Sequence, residues 1–355
     1  MFYNKYNAKN LTENTLKKYL ITILLTILIS GIANAQSGSY AGSFARLGFG
    51  ARGLSMGNAM VSNTFGDVVG YYNPAISSFQ EDGIVNIGYT FLSMDRSLNF
   101  VGFTKKFTLK DQGHRGAGIS FSWINAGVSN IDGRDNDTRQ IGTFSTYDNQ
   151  FYLGTSFLVS DQVSLGVGFK YYYSKLYEDV TSTSIGFDVG AVYKAMDNLS
   201  FGFAIRDISA KNEWNTSDIY GSLGNTTKDK FPTLINFGGT YLLPKDYGLV
   251  SLEIEYHNNP KYEDKNTGVT SERFNNYFFK FGTEFNLTEQ LKLRAGLDRI
   301  DFSGDDFGGN LKPSAGFGFY KSFTKDIKLG LDYSVQLEPY SHDLIQNIGL
   351  AFKFK

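Results

Sequence analysis

The chain has no cysteine, and only 6 prolines, 3 histidines and 2 tryptophans among 355 residues. Without cysteine it has no disulfides, no thiolate metal site and no lipid-modified N-terminal cysteine. Neither sign of charge dominates: 34 basic residues stand against 35 acidic ones. That balance argues against a polyanion-binding surface, so nucleic acid is not an expected partner. No apolar run after residue 35 reaches the length of a membrane-spanning helix. What the chain does have is glycine (39), phenylalanine (31) and tyrosine (23). Such a mixture suits many antiparallel strands with exposed aromatics better than a helix-covered sheet.

The first residues are polar and carry the pair Lys17-Lys18, followed by "YLITILLTILISGIANA". A basic head, a short apolar core and the ending Ala33-Asn34-Ala35 describe a secretory signal peptide over residues 1–35, cut before Gln36. The other reading is a transmembrane anchor, for which roughly a dozen strongly apolar residues are short against about 30 Å of hydrocarbon.

From about residue 84 onward the dominant period is two. In "VSLGVGFKYYYSK" one face carries Val163, Leu165, Val167, Phe169, Tyr171 and Tyr173, and the other Ser164, Gly166, Gly168, Lys170, Tyr172 and Ser174. "IKLGLDYSVQL" and "QLKLRAGLD" repeat the pattern. Successive side chains of a strand point to opposite faces, so each segment is apolar on one side and polar or small on the other. A soluble β-sandwich also alternates. Three features favour a membrane barrel instead: segments long enough to cross a bilayer when tilted, full charges in mid-strand on the polar face, and an unusually aromatic apolar face (Phe201, Phe203, Tyr277, Phe279, Phe281, Phe317, Phe319).

The expected strands lie near 84–92, 97–108, 115–125, 149–159, 163–177, 182–195, 199–209, 232–243, 248–258, 274–286, 290–300, 312–323, 327–337 and 342–355. Fourteen is an even number, as bacterial single-chain barrels require. Connections after even strands are short ("SDQ", "MDN", "LTE", "TKD"), whereas several after odd strands are long and polar, including "AGVSNIDGRDNDTRQIGTFSTY" and residues 211–231. Outer-membrane barrels alternate short periplasmic turns with longer outside loops in the same way. The last strand, "HDLIQNIGLAFKFK", puts Leu344, Ile348, Leu350, Phe352 and Phe354 on one face beside the chain end.

Before the first strand stands "GFGARGLSMGNAMVSNTFGDVVGYYNPA", in which Gly48, Gly50 and Gly53 match G-x-G-x-x-G. A dinucleotide loop of that spacing should follow a buried strand and open a helix in a βαβ unit. Here it follows the polar, small "QSGSYAGSFARL", with no parallel strand or ribose-binding acid after it. The segment reads instead as a compact piece ahead of the barrel. Leu54, Met56, Ala59 and Met60 supply one apolar patch, Gly53 and Gly57 allow close backbone approach, and Asn73-Pro74 makes a turn. Residues 36–82 are enough to fold into the barrel of 83–355 and plug it as a hatch.

Gly50-Ala51-Arg52, Met56-Gly57, Asp67 and Tyr72-Asn73-Pro74-Ala75 resemble the opening signature of the PorV/PorQ family of outer-membrane proteins, which is similar in architecture to the FadL superfamily of long-chain fatty-acid transporters. Tyr72 stands where the family often has Trp. The resemblance implies an N-terminal hatch inside a barrel. It also implies a role as an accessory of type IX secretion, with secreted protein cargo or secretion-machinery subunits as partners. The alternative it carries is a FadL-like channel for a small hydrophobic molecule, and a purely structural barrel is a third. Outer-membrane lipid is the expected surroundings in every case.

No residue pattern supports an enzyme, and no cofactor is expected. His114, His257 and His342 lie on separate expected strands or their ends, without a metal-binding motif. "NIDGRDNDTR" has the composition of a calcium loop but not its spacing. The inward charges expected to line the lumen are Lys170, Asp188, Arg206, Glu253, Glu255, Lys280, Glu284, Lys292, Arg294, Asp298, Lys328 and Asp332. They read as a mutual salt-bridge network that also docks the hatch, or else as the selective lining of a solute path.

Overall fold

The computed structural model of the protein describes residues 41–67, 69–108, 116–177, 179–260, 262–263, 270–271, 276–302, 310–339 and 342–355. The leader expected at 1–35 therefore lies outside the described residues, as does His114.

Fourteen antiparallel strands close into one barrel. In chain order they are β1 (Gly83–Phe91), β2 (Arg96–Thr108), β3 (Gly116–Arg134), β4 (Gln140–Leu158), β5 (Val163–Lys175), β6 (Thr181–Met196), β7 (Leu199–Ile208), β8 (Thr233–Leu242), β9 (Gly248–Asn258), β10 (Asn276–Asn286), β11 (Leu291–Ile300), β12 (Lys312–Ser322), β13 (Ile327–Leu337) and β14 (Leu344–Phe354). Each strand pairs with its neighbours in sequence, and β1 pairs with β14 from Gly83↔Phe354 to Phe91↔Gln346. Closure gives the backbone of every strand a partner on both sides, the condition for crossing hydrocarbon without unpaired amides.

The side chains sort as the alternation requires. On β5, Leu165, Val167 and Phe169 point outward and are exposed, while Ser164, Gly166, Gly168 and Lys170 are buried inside. β14 does the same with Leu344, Ile348, Leu350 and Phe352 outside and Ile345, Asn347 and Ala351 inside. Apolar side chains thus dominate the outer wall. A water-exposed protein rarely shows apolar patches above a few hundred Å², so this face belongs against lipid.

Two stretches depart from the expected loops. β3 and β4 continue past the barrel rim: their ladder shifts at a bulge between Val128 and Ile131 and then runs to Arg134↔Gln140. β2 ends its pairing with β3 at Arg96↔Val128, and β5 meets β4 only from Tyr147. Beyond those points the ribbon has solvent on both faces, so the inside–outside alternation that marks a strand is absent from its sequence. A second small hairpin, Lys211–Asn215 with Thr226–Lys230, occupies most of the long stretch between β7 and β8.

Residues 41–67 and 69–82 pack against inward-facing residues of the wall. A short helix, α1 (Gly50–Ser55), packs against β11 to β14 and β1, and a 3₁₀ turn (Pro74–Phe79) packs against β2 to β6 on the opposite wall. The chain enters near the long-loop end, where Gly42 touches Phe231, and leaves at the short-turn end, where Gln80 accepts the Lys106 amide.

Candidate functional site

The glycines of the opening stretch serve the backbone. Gly48 and Gly50 have φ of 122° and 72°, turning the chain into α1 in a region that only glycine occupies without strain. Gly53 faces the Tyr72 hydroxyl, with no room for a Cβ. Gly57, at φ 58°, lies against the Leu297 backbone, and a Cβ there would come within 2.6 Å of the carbonyl oxygen. The wall answers with its own glycines: Gly282 and Gly296 face the Met56–Gly57 backbone, and Gly202 faces Val61.

α1 aims Arg52 at the wall. Its Nε donates to Glu284 Oε2 at 2.8 Å and its Nη2 to Oε1 at 3.2 Å, a bidentate grip. The rest of the guanidinium gathers the following loop, with Nη1 on the Asp67 carbonyl at 2.6 Å and Nη2 on that of Phe65 at 3.0 Å. Glu284 also takes Arg294 at 2.7 Å and Lys292 at 3.1 Å, and Arg294 passes on to Asp332 and Tyr320. Asp67 itself pairs with Lys353 of β14 at 3.0 Å.

Two further wall acids hold the segment. Asp298 Oδ2 accepts Asn58 Nδ2 at 3.0 Å. Glu253 Oε2 accepts the backbone amides of Met60 and Val61 at 2.9 and 3.0 Å. Lys280 lies 3.3 Å from Glu253 and 2.7 Å from Glu255, and Asn236 donates to both carboxylates. Tyr72 closes the segment on itself, accepting the Phe49 amide at 2.8 Å and reaching Asn58 Oδ1 at 2.9 Å. Burial pushes its phenol pKa up, so it stays a neutral donor.

Asn73 is extended (φ −157°), as the residue before a proline should be, and its Oδ1 caps the 3₁₀ turn by accepting the Ala75 amide at 3.0 Å. Its amide nitrogen faces three carbonyls: Val61 at 2.8 Å, and Ala191 and Phe203 on the wall at 3.2 Å each. Gly190 gives Asn73 room, and Gly166 does so for Pro74-Ala75. Ser78 bonds Ser164 at 2.7 Å beside them.

A third group sits on β5 to β7. Lys170 is fully buried, 2.9 Å from Asp188 and 2.7 Å from Asp207, and Tyr172 donates to Asp207 at 2.6 Å. Arg206 lies over the Tyr71 ring at 4.9 Å. Asp207 escaped the sequence reading because it adjoins the inward Arg206 and should point outward. A register shift between β6 and β7, with Asp207 at φ 60°, brings both residues inside. The inward charges therefore form three groups around the segment, where one network was expected. Lys328 stands at their margin, 5.4 Å from the face of Tyr320.

The remaining sequence candidates resolve simply. His257 bonds Glu255 at 2.7 Å, and His342 is exposed in a turn. Among the described residues no group of three or more His, Asp or Glu is placed to hold a metal. In the "NIDGRDNDTR" stretch Asp135 accepts the amides of Asp137 and Arg139, and Asp132 pairs with Arg134. Those acids build the turn.

Aromatic rings make up the rest of the candidate site, and of these alternation had placed only Tyr172 on an inward face. Phe44, Phe49, Tyr71, Tyr152 and Tyr172 from the segment and wall join Phe100, Ile124 and Phe231 in one buried apolar cluster. Phe49 stacks on Tyr71 at 4.7 Å, and Tyr172 meets Phe231 edge-on at 4.9 Å. A cavity of about 30 Å³, lined by Phe49, Tyr72, Ile87, Phe100 and Tyr320 among others, lies at its edge.

Solved structures share the barrel fold. A toluene transporter of Ralstonia pickettii, TbuX, superposes with a TM-score of 0.56 at 12% identity, over 87% of this chain and 98% of its own. This is the FadL-type barrel fold. The Pseudomonas putida toluene transporter TodX gives 0.56 at 13% identity over 86% and 97% of the two chains. A Pseudomonas aeruginosa FadL homologue gives 0.54 at 13% over 92% and 99%. No protein-family model matches the sequence, and no curated protein matches it.

Proposed function

We propose that the protein is exported through its leader into the outer membrane and there passes small hydrophobic molecules across the bilayer, with residues 41–82 as the hatch. The observation that carries this reading is the buried apolar cluster built jointly by that segment and the wall, inside a fold shared with toluene transporters. In this orientation the long loops face outside and the short turns face the periplasm. The inward charges serve the hatch: Glu253, Glu284 and Asp298 accept donors from it, so the lining holds a structural element more than it selects ions. The test is uptake of labelled toluene into vesicles carrying the purified barrel. Faster filling than in protein-free vesicles supports the reading, and equal rates overturn it.

A second reading, an accessory of type IX secretion that handles protein cargo, rests on the opening signature and on one structural observation. The β3–β4 ribbon stands beyond the rim, and the tip of the 211–230 hairpin carries Tyr220 and Leu223 at 64% and 88% exposure. Exposed apolar side chains on such projections suit contact with another protein. Deleting the gene should then leave exported cargo unattached in the periplasm or medium, and normal surface display would remove the idea.

A further inference from the structure

On the inner wall of β11 to β14, two ion pairs bound a tier with no formal charge. Toward the long loops Lys312 meets Glu338 at 3.2 Å, and toward the short turns Arg294 meets Asp332. Between them Ser314 stands opposite Gln336, and Ser334 opposite Asn347, which itself stands opposite Thr90. Ser314, Gln336 and Asn347 are 8%, 1% and 1% exposed. Yet both Nε2 and Oε1 of Gln336, Oγ of Ser314 and Oδ1 of Asn347 have no hydrogen-bond partner among the described residues. The Asn347 amide nitrogen alone is used, donating to Thr90 at 2.6 Å.

Leaving a buried donor or acceptor unmade costs about 1–3 kcal/mol per group, and native interiors pair nearly all of them. Four such atoms on adjacent strands, of both donor and acceptor sense, are therefore a poor way merely to close a wall. The tier also has an apolar continuation. Thr90 stands opposite Leu98, and Leu98 opposite Ala126. Leu98 and Ala126 belong to the buried cluster with Phe100 and Ile124.

We propose that this tier binds the polar end of a neutral amphiphile, a hydroxyl or carbonyl on an apolar frame, with the frame against Leu98, Phe100 and Ile124. The inference rests on the transport reading and narrows its substrate class. A carboxylate would be buried opposite an amide and hydroxyls with no cation of its own, since Lys312 and Arg294 are already paired. A bare hydrocarbon would leave the Gln336 amide unmade. A single hydroxyl can both accept from Nε2 and donate to Oε1 or to Asn347 Oδ1.

The experiment measures binding of p-cresol and of toluene, which differ by one hydroxyl, to the purified mature barrel, with melting of the same samples followed alongside. Wild type should hold p-cresol at least as tightly as toluene, despite the cost of dehydrating the hydroxyl. Gln336→Leu should weaken p-cresol about tenfold, the worth of one hydrogen bond, leave toluene unchanged, and melt no lower than wild type. Asn347→Leu should act in the same direction. The proposal is overturned if Gln336→Leu keeps p-cresol binding intact. It is equally overturned if that variant melts lower with no ligand present, because the amide is then satisfied by ordered water alone. Binding of toluene without the hydroxyl effect sinks the polar tier and spares the transport reading, whereas a wild-type barrel that holds neither molecule sinks both.

Discussion

Arg52 and Asn73 each join several parts of the segment to the wall, and each can be tested by a change of one functional group. Arg52 and Glu284 are both nearly inaccessible, and breaking one partner of a buried pair costs about 3–5 kcal/mol because the other charge is stranded. Arg52→Met should therefore lower the melting temperature clearly. Here Glu284 keeps Arg294 and Lys292, so the loss should sit toward the lower end of that range. Glu284→Gln should cost more, since it leaves Arg52, Lys292 and Arg294 without their shared anion. Thermal unfolding in detergent, read by gel mobility of unheated and heated samples, would rank them; the reverse order would contradict the assignment of Glu284 as the shared anchor. Asn73 needs both halves of its amide: the oxygen caps Ala75, and the nitrogen faces Val61, Ala191 and Phe203 carbonyls. Asn73→Asp keeps the cap but turns an anion toward those carbonyls, so it should be more damaging than Asn73→Ala, which is expected to cost roughly 2–3 kcal/mol from lost hydrogen bonds. Equal effects would mean that only the cap matters.

Whole elements meet through backbone at a few places where any side chain would intrude. A Cβ at Gly296 would overlap the Gly57 amide, and neither partner has a flexible side chain to yield. Gly296→Val should leave the barrel ladder formed but unseat the segment, which limited proteolysis would reveal as faster cutting between residues 41 and 80. Unchanged protection would show that the wall yields instead. The β3–β4 ribbon makes the opposite case. Among the described residues its outer part forms ladder pairs only with itself and touches the rest through one ring contact, Phe144 with Tyr177 at 4.9 Å, so deleting residues 129–145 and joining the strands by a short turn should leave the melting temperature within a few degrees of wild type. All fourteen strands were legible because each has lipid on one face and the interior on the other, and the two environments write opposite residues into alternate positions. That signal fades wherever both faces see water, which is why the outer part of the β3–β4 ribbon, residues 129–146, fell in the stretch read as loop. It also fails at a bulge, which is why Asp207 is absent from the expected inward charges. The segment's partners on the wall were not legible, because contacts such as Arg52 to Glu284 or Asn58 to Asp298 join residues more than 200 positions apart, and no local pattern encodes which wall acid lies opposite.

At the scale of the molecule, the barrel ladder and the segment packed on its inner wall make separable contributions. The ladder is continuous without residues 41–82, since β1 starts at Gly83 and closes on β14, and the outer apolar face owes nothing to them. What the segment supplies is internal: donors for Glu253, Glu284 and Asp298, and the Phe44–Phe49–Tyr71 part of the apolar cluster. A mature chain lacking residues 41–80 should still insert as a barrel, with lower thermal stability, because those three acids and the walls of the cluster then face water. Its lumen should conduct. In planar bilayers the shortened barrel is expected to give stable open currents, while the intact protein stays closed or flickers. Arg52→Met should fall between the two, since it frees one end of the segment and leaves the Asn73 end seated. Should the intact and shortened barrels conduct alike, the segment would not obstruct the lumen, and its contacts with the wall would be structural only.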